Sequence, residues 1–496
     1  MKSLIAYRTT THKDKLGDLM LRAGLLHKTS AGVYTYLPEG LRLLRNLENH
    51  CRKAMLDIGC EEVYMPALLP TSLLEQSDRI KVFGNTVFTL EQNKYYLGPT
   101  HEEPVVQLFK DIFMQQGKSS HLLPMHLIQW QNKYRKELRP RGGLLRCKEF
   151  LMQDSYSFHT DVACLDATFE EVRQIYRELF ASLDLEYLEV EASSGPMGGG
   201  ASLEFHMLHP EGEDLILVST QGQAFNREIA PCYQFSPSKE LNKFTTKGVT
   251  ATLPEVRMTE YQGAYLWVLQ KDDISPDKVG TLQAGYHYID YSVATLPCFR
   301  CHLGQGNWQA LEHGILRDLR LAKAGDLSPD GTAYTGKRGI EIGHIFKLYD
   351  RFSRPMSLLD KADKPIVMGC YGIGISRLLA CVVLQHSRAD RLVLPNCIYV
   401  PPIVILSQAT DSLGTEIVNW CKQQKLACVL RTLDKSLTIR KHYEHAKLTG
   451  VRYLLILREG RATLCTIEDG VEISMTREIS LIGKQLSLIL GLSKVI

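Results

Sequence analysis

Positively charged side chains that could bind an anionic ligand are concentrated between His126 and Phe158. Two stretches of strand-like composition lie there, separated by a Gly142-Gly143 turn. The charged residues near the turn are Arg135, Glu137, Arg139, Arg141, Arg146, Lys148 and Glu149. A planar guanidinium can bind carboxylate or phosphate through two parallel hydrogen bonds. The pattern therefore predicts a hairpin that binds an anion, although a solvated loop with incidental ion pairs would have the same composition.

A glycine-rich segment, Met368–Ala380, is the second candidate for ligand binding. Gly372 and Gly374 would let the end of a strand pass close to a ligand, and Arg377 would follow on the first turn of a helix. The segment is not a dinucleotide-binding fingerprint, because the third glycine is missing. It is not a P-loop, because no Gly-Lys-Ser/Thr follows.

Regular elements that would position these residues can be read from the spacing of apolar side chains. Six of them recur at helical spacing: Leu41, Leu44, Leu47, Cys51, Met55 and Ile58. They predict an amphipathic helix from Pro38 to Ile58 that ends at Gly59. A strand, Glu62–Met65, follows and stops at Pro66, which cannot donate to a ladder. Periodicity alone would describe these simply as core elements.

Composition indicates an ordinary globular protein of several domains. The 496 residues are 44% hydrophobic, and 58 basic against 55 acidic residues give a net charge of +3, so any nucleic acid must bind through local patches. The 13 cysteines are scattered, which favours free thiols and a cytoplasmic location. No apolar run approaches the ~20 residues that span a bilayer, so no membrane association is expected. A weak organellar transit peptide at the N terminus is the alternative.

Changes of pattern divide the chain into four parts. Residues 1–226 mix amphipathic helices with strands, residues 227–317 are irregular, and residues 318–397 return to the first pattern. Residues 398–496 alternate short strands and helices, which favours a small, mostly parallel α/β domain. Its predicted elements are strand 403–406, helix 413–424, strand 427–430, helix 438–448 and strand 453–457.

These segments together resemble the three motifs of class II aminoacyl-tRNA synthetases. The helix and strand up to Pro66 are similar to motif 1, which forms the dimer interface in that class. Tyr134-Arg135-Lys136-Glu137 and Arg146-Cys147-Lys148-Glu149-Phe150 resemble motif 2, and the segment around Gly372, Gly374 and Arg377 resembles motif 3. The resemblance implies an α+β fold, with an antiparallel-sheet catalytic domain and a C-terminal α/β anticodon-binding domain.

Further segments resemble the bacterial-type prolyl-tRNA synthetases. They are Arg22-Ala23-Gly24, Ser30–Tyr34, Leu37-Pro38-x-Gly40, Gly98–Glu103, Glu149–Met152 and the strand Gly339–Leu348. Threonyl enzymes, the nearest alternative, bind zinc through a cysteine near the Pro-Thr-His-Glu turn, and no cysteine lies between Cys60 and Cys147 here. The resemblance implies activation of proline with ATP and Mg²⁺, transfer to the 3′ end of tRNA(Pro), and a homodimer.

The resemblance also implies roles for individual residues. Arg135 and Arg377 would be catalytic. Arg135 would bind the α-phosphate and the proline carboxylate, and Glu137 would accept from the adenine amino group. Arg146 and Arg377 would bind the outer phosphates, with Gly372 and Gly374 beside them. Glu341 would lie by the ribose or a magnesium ion.

The amino-acid subsite is implied in the same way. Thr100 and Glu102 would hold the ring nitrogen of proline, and Phe346 with His344 would form the wall of the pocket.

Three departures from the family pattern qualify these expectations. The segment 227–317 is about half the usual size of the editing domain inserted there, so we expect a degenerate insertion that does not hydrolyse Ala-tRNA(Pro). Leu203 replaces a histidine beside Glu204. In the C-terminal domain, Arg431-Thr432-Leu433-Asp434-Lys435 replaces Asp-Asp-Arg, although Arg440, Lys441, His442 and Lys447 would still form a basic face.

Two alternatives stay open from the sequence. Cys298-x-x-Cys301-His302 has metal-ligand spacing, but no second paired cluster completes a zinc site, and we expect none. The chain could also be a synthetase paralogue that loads another acceptor or serves as a non-catalytic binding protein.

Overall fold

The computed structural model describes residues 18–232, 256–262, 264–269, 272–279, 287–290, 314–388, 391–399, 403–408, 411–433, 438–467 and 469–490. Three features named above lie outside them: the segment 1–17, the Cys298-x-x-Cys301-His302 cluster, and the pair Asp434 and Lys435. No helix in the described part of the chain is long and apolar enough to cross a membrane.

The first catalytic segment contains twelve described strands and six described helices. In chain order they are α1 Asp18–Arg22, β1 Leu26–Ser30, β2 Val33–Tyr36, α2 Pro38–Leu56, β3 Glu61–Glu62, β4 Leu68–Pro70, α3 Ser72–Gln76, α4 Ile80–Phe83, β5 Phe88–Leu90, β6 Tyr95–Leu97, α5 Glu102–Gln115, β7 Met125–Tyr134, β8 Glu149–His159, α6 Val162–Ser182, β9 Tyr187–Ala192, β10 Ala201–Leu208, β11 Asp214–Val218 and β12 Ala224–Asn226.

The later segments complete the described elements. They are β13 Val256–Tyr261, β14 Ala264–Leu269, α7 Pro276–Val279, β15 His287–Asp290, β16 Gly314–Arg317, β17 Thr335–Tyr349, β18 Val367–Ile373, α8 Ile375–His386, β19 Ile403–Ser407, α9 Ser412–Gln423, β20 Cys428–Thr432, α10 Ile439–Leu448, β21 Tyr453–Arg458, β22 Arg461–Thr466, β23 Val471–Met475 and α11 Ile479–Ile489.

A sheet of nine described strands forms the centre of the catalytic region, in the order β10-β9-β12-β11-β17-β18-β8-β7-β3. All neighbouring pairs in it are antiparallel except β12–β9 and β3–β7. The long strand β17 pairs with β18 on one edge and with both β10 and β11 on the other. The expected antiparallel catalytic sheet is thus confirmed, and β17 connects its two halves.

Successive side chains of each strand point to opposite faces of the sheet, so a separate hydrophobic core forms on each face. Leu47 of α2, Phe180 of α6 and Leu379 of α8 pack with Ile128 and Ile345 on one face. On the other face, side chains of α5 pack with strands β8, β17 and β18, the residues being Phe109, Phe113, Phe158, Phe346 and Cys370. Helix α5 covers only part of this second face, and the candidate site lies beside it.

The motif 1 helix forms as the sequence predicts, but the strand after it is shorter. Pro38 occupies the first turn of α2, where its missing N–H costs nothing. Gly59 adopts a φ of +81°, a conformation that favours glycine, just after the helix ends. The predicted strand Glu62–Met65 is wrong in extent, because the paired residues are only Glu61 and Glu62.

The insertion is more regular than its sequence indicates. Strands β13, β14, β15 and β16 form a four-stranded sheet, with β13–β14 antiparallel and the other two pairings parallel. At its root Arg320 is buried and pairs with Asp326 at 2.7 Å. Asp272 and Asp290 lie 3.7 and 3.8 Å from the same guanidinium.

The C-terminal domain contains every element predicted for it, together with two further strands, β22 and β23, and one further helix, α11. Strands β20, β19 and β21 are parallel, whereas β22 and β23 extend the sheet in antiparallel pairing. The sheet is therefore mixed rather than mostly parallel. His442 is a further correction, because its side chain is buried and cannot belong to an exposed basic face.

Candidate active site

The turn that carries Thr100 and Glu102 is fixed from below by a buried polar network. The Nζ atom of Lys133 lies 2.8 Å from Asp154 and 2.8 Å from Nδ1 of His101. The Nε2 atom of His101 is 3.0 Å from the carbonyl oxygen of Pro66, and its backbone N–H donates to the Tyr156 hydroxyl. Burial and the charge of Lys133 lower the pKa of His101 to about 4, so its ring is neutral at pH 7.

Thr100 and Glu102 form one unit with a buried ion-pair cluster. The Thr100 hydroxyl donates to Oε1 of Glu102 at 2.7 Å, and Nη1 of Arg79 donates to the other oxygen at 2.9 Å. The same Nη1 also reaches Glu103 at 3.1 Å, and burial raises the pKa of Glu103. Glu102 is fully buried, whereas Thr100 is partly exposed.

Arg135 follows β7 directly and lies over the same turn. Its Nε is 3.4 Å from the Pro99 carbonyl oxygen, and its guanidinium lies 5.2 Å from the centre of the Phe150 ring. Desolvation and the positive charge of Arg377 lower the pKa of Arg135, whereas Glu341 and Glu102 act in the opposite direction. Charges from motif 3, from β17 and from the Thr100–Glu102 turn thus act together at this motif 2 arginine.

Motif 3 has the strand–turn–helix form that its sequence predicts. Arg377 donates from Nη1 to Oε2 of Glu341 at 3.0 Å and from Nε to the Leu145 carbonyl oxygen at 3.0 Å. It therefore connects α8 to β17 and to the motif 2 loop. A Cβ on Gly372 would lie 2.6 Å from Cε of Met152, the end of a flexible side chain, whereas one on Gly374 would meet only ordinary contact.

His344 and Phe346 lie on β17 beside this arginine. Their rings stack with centroids 3.7 Å apart, and His344 Nδ1 is 3.0 Å from Glu341 and 3.5 Å from Glu204. Burial raises the pKa of Glu341, but His344 and Arg377 outweigh it, so the pKa is lowered and the carboxylate is charged. Phe346 is the register partner of Cys370, whose thiol contacts Glu102 at 3.6 Å, which links this wall to the Thr100 turn.

The motif 2 loop holds its charged residues in an ion-pair network. Arg146 contacts Glu137 at 2.7 Å through Nε and Glu213 at 2.9 Å through Nη1. Arg141 contacts the other oxygen of Glu213 at 2.6 Å. Glu137 and Arg146, predicted separately from the sequence, are therefore direct partners.

Several residues of this site were not singled out from the sequence. One signal in the sequence could have indicated Lys133 and its partner Asp154. Polar side chains alternate with apolar ones along β7, which gives this strand a polar face; the polar residues are Gln129, Gln131 and Lys133. Arg79 and Glu213 had none, because each approaches the site from a distant part of the chain.

A mostly antiparallel sheet with a charged hairpin and a strand–glycine–helix unit defines the core of a class II aminoacyl-tRNA synthetase. The family model "tRNA synthetase class II core domain (G, H, P, S and T)" matches residues 87–386. A relative from Ruthia magnifica named proline–tRNA ligase is 33% identical over 450 residues, covering 78% of this chain and 80% of that protein. The chain belongs to the proline–tRNA ligase family of class II synthetases.

Other matches extend this comparison over the whole chain. A proline–tRNA ligase of Legionella pneumophila strain Philadelphia 1 is 28% identical and covers 99% of this chain and 98% of its own length. The prolyl-tRNA synthetase of Giardia lamblia, solved with prolyl-adenylate, shares the fold at a TM-score of 0.57 and 15% identity, covering 93% of this chain and 74% of that one. The Cryptosporidium parvum enzyme, solved with L-proline and AMP, has the same TM-score at 12% identity, covering 96% and 74%.

Replacing Lys133 with methionine tests the buried network. Lys133→Met leaves Asp154 buried without its cationic partner, which typically costs about 3–5 kcal/mol. We expect the thermal unfolding midpoint, followed by circular dichroism, to fall clearly. Lys361→Met, at an exposed turn away from the network, serves as the control and should change it little. Equal midpoints for the two variants would contradict a central role for the network.

Proposed function

We propose that this protein attaches proline to tRNA(Pro) in two steps, with ATP as the energy source. The observation that carries the proposal is the convergence of Arg135, Arg377 and Glu341 with the Thr100–Glu102 unit. Its bacterial relatives bear the name proline–tRNA ligase, which supports the same substrates here.

Activation requires two anions to react, the carboxylate of proline and the α-phosphate of ATP. No protein nucleophile is needed, so the protein must neutralise charge repulsion and hold the reactants in line. Arg135 suits this task because a guanidinium can bind both groups at once. Its Nε contact with the Pro99 carbonyl is long, at 3.4 Å, so most of its donors stay available to the reactants.

The ring nitrogen of proline is a protonated secondary amine with two N–H donors. Because the Thr100 hydroxyl donates to Glu102, its oxygen presents lone pairs that can accept from the amine. Glu102 and Glu103 share a single arginine, so their cluster favours a cation nearby. In this proposal Glu102 acts through Thr100, and the stacked Phe346 and His344 form the apolar wall of the pocket.

The nucleotide would lie between motifs 2 and 3. Glu137 would accept from adenine, and Arg146 and Arg377 would bind the outer phosphates. Gly372 would leave room for Met152 at the edge of the site. A cation could be held by three side chains whose ligand atoms lie within 4.8 Å of one another, those of Glu204, Glu341 and His344. The two carboxylates suit Mg²⁺, and a bound Mg²⁺ would offset the charge of the phosphates.

The tRNA(Pro) would contact the C-terminal domain at α10, where Arg440 and Lys441 are exposed. A cytoplasmic location fits the cysteines, since the eleven in the described residues are all free and most are buried.

The catalytic proposal is tested by Arg135→Ala. The wild-type protein should catalyse proline-dependent ATP–pyrophosphate exchange and charge an unmodified tRNA(Pro) transcript. Loss of one preorganised donor group typically lowers the rate by about 10²–10³, and we expect both activities to fall at least that far. Arg354→Ala removes an exposed arginine paired with Asp350 and should leave both unchanged. Retention of a tenth of the exchange rate in Arg135→Ala would refute the role; exchange without charging by the wild type would favour a paralogue with another acceptor.

A homodimer is also proposed, with the motif 1 region at its interface. The apolar face of α2 packs into the core of its own chain, so only its outer face can meet a partner. After the helix, Tyr64 is 80% exposed and Leu68 is 46% exposed. Such apolar side chains on one segment favour burial by another copy.

The dimer is tested by Tyr64→Asp. Placing a charge in the interface should shift the mass measured by light scattering from two chains to one at micromolar concentration. Leu488→Asp, at an apolar side chain 74% exposed on α11, should leave the mass unchanged. A wild-type mass of one chain would contradict the proposal.

Proofreading is proposed to be absent from this chain. A proline pocket cannot exclude the smaller alanine sterically and loses only about 1–3 kcal/mol per missing methylene, so an editing site is the usual remedy. The Legionella alignment runs over 565 positions against 496 residues here, so at least 69 positions of that relative have no counterpart. The insertion would then serve as a structural appendage of β13–β16.

Preformed Ala-tRNA(Pro) distinguishes the two possibilities. With the purified protein we expect deacylation at the spontaneous rate, because the residues needed for hydrolysis would be lacking. A full-length bacterial relative with the complete insertion serves as the positive control. Deacylation well above the spontaneous rate would show that the shortened insertion still edits.

A further inference from the structure

Glu213 connects two arginines of the motif 2 loop from outside that loop. It lies at the end of the turn between β10 and β11. Its two carboxylate oxygens contact Arg141 at 2.6 Å and Arg146 at 2.9 Å. Glu213 is thus the shared acid of two arginines on either side of the Gly142-Gly143 turn.

The position of Glu213 is set by the central sheet. Its neighbour Asp214 pairs with Gly339 of β17. The backbone oxygen of Glu213 itself accepts a hydrogen bond from the Arg338 side chain at 3.0 Å. A Cβ on Gly212 would lie 2.4 Å from the Gly339 oxygen, so the turn lies directly against β17. The carboxylate is consequently held in place while the loop arginines approach it.

These contacts give each of the two loop arginines an acidic partner. Arg141 and Arg146 carry two positive charges, and Glu137 and Glu213 carry two negative ones. Arg146 uses Nε for Glu137 and Nη1 for Glu213, so each of the two edges through which it could bind a phosphate already has one nitrogen in contact with an acid. A phosphate is bound best through two parallel N–H groups, and this requires Arg146 to release one of its acids.

We propose that Glu213 is the counter-ion that the outer phosphates of ATP displace from Arg141 and Arg146, and that it thereby weakens ATP binding. Glu213 is released more readily than Glu137, because Glu137 is the less exposed of the two partners, at 19% against 38%. The inference rests on the proposed use of ATP.

The size of the effect follows from the exposure of the pairs. Ion pairs at exposed sites contribute about 0.2–1 kcal/mol, which corresponds to up to a fivefold change in affinity. Salt weakens such contacts, since the screening length is about 10 Å at 0.1 M and about 3 Å at 1 M. The competition should therefore affect ATP alone and diminish with ionic strength.

Glu213→Gln tests the inference in the full-length protein, by ATP–pyrophosphate exchange at low and high salt. We expect the KM for ATP to fall about two- to fivefold at low salt, with a smaller change at high salt and an unchanged KM for proline. Glu211→Gln removes the same charge from the same turn. Within the described chain Glu211 makes no ion pair with either arginine, so this variant should match the wild type.

An unchanged KM for ATP in Glu213→Gln would overturn the inference. A higher KM would also overturn it, because it would show that Glu213 holds Arg146 in position for the nucleotide. An equal fall in both variants would also overturn it, because net charge alone would then explain the effect. A wild-type protein without proline-dependent exchange would refute the proposed function instead.

Discussion

The buried pair of Lys133 and Asp154 is the interaction on which the candidate site depends. Both side chains are nearly inaccessible to solvent, so neither charge is tolerable without the other. Through His101 the pair fixes the turn at residues 98–102, which is far away in sequence. That turn sets the positions of Thr100, of Glu102 and of the Pro99 carbonyl beside Arg135. The buried pair therefore holds in place the turn that is proposed to bind proline.

Charge pairing in the site has a second consequence for how ligands bind. Arg377 pairs with Glu341, and Arg146 pairs with Glu137, so the arginines proposed to bind phosphate already have acidic partners. An anionic substrate exchanges one partner for another, and the net gain is smaller than the direct attraction. Arg135 differs, since its polar side-chain contact is a long one to a carbonyl oxygen. This difference is a physical reason to place the reacting groups at Arg135.

The insertion and the C-terminal domain are attached to this core by different kinds of contact. At the root of the insertion, Arg320 is buried with Asp326 and two further aspartates, an arrangement that tolerates little rearrangement. The C-terminal domain instead contacts the catalytic region through mixed contacts such as Arg431 with Glu39 at 3.7 Å and the Leu392 N–H with the Leu448 carbonyl. The buried ion pairs at Arg320 therefore favour an insertion that is held rigidly against the catalytic region.

Local patterns in the sequence were sufficient for the elements that carry chemistry. The helix that begins at Pro38, the charged hairpin, the strand that contains Gly372 and the C-terminal alternation all depend on spacing within a few residues, and all are present. The sequence could not give the short β3, the mixed C-terminal sheet or the burial of His442, because each depends on what packs against the segment. Nor could it bring Arg79 to Glu102 or Glu213 to Arg146. Those contacts join residues far apart in the chain, and only the tertiary structure determines which of them meet.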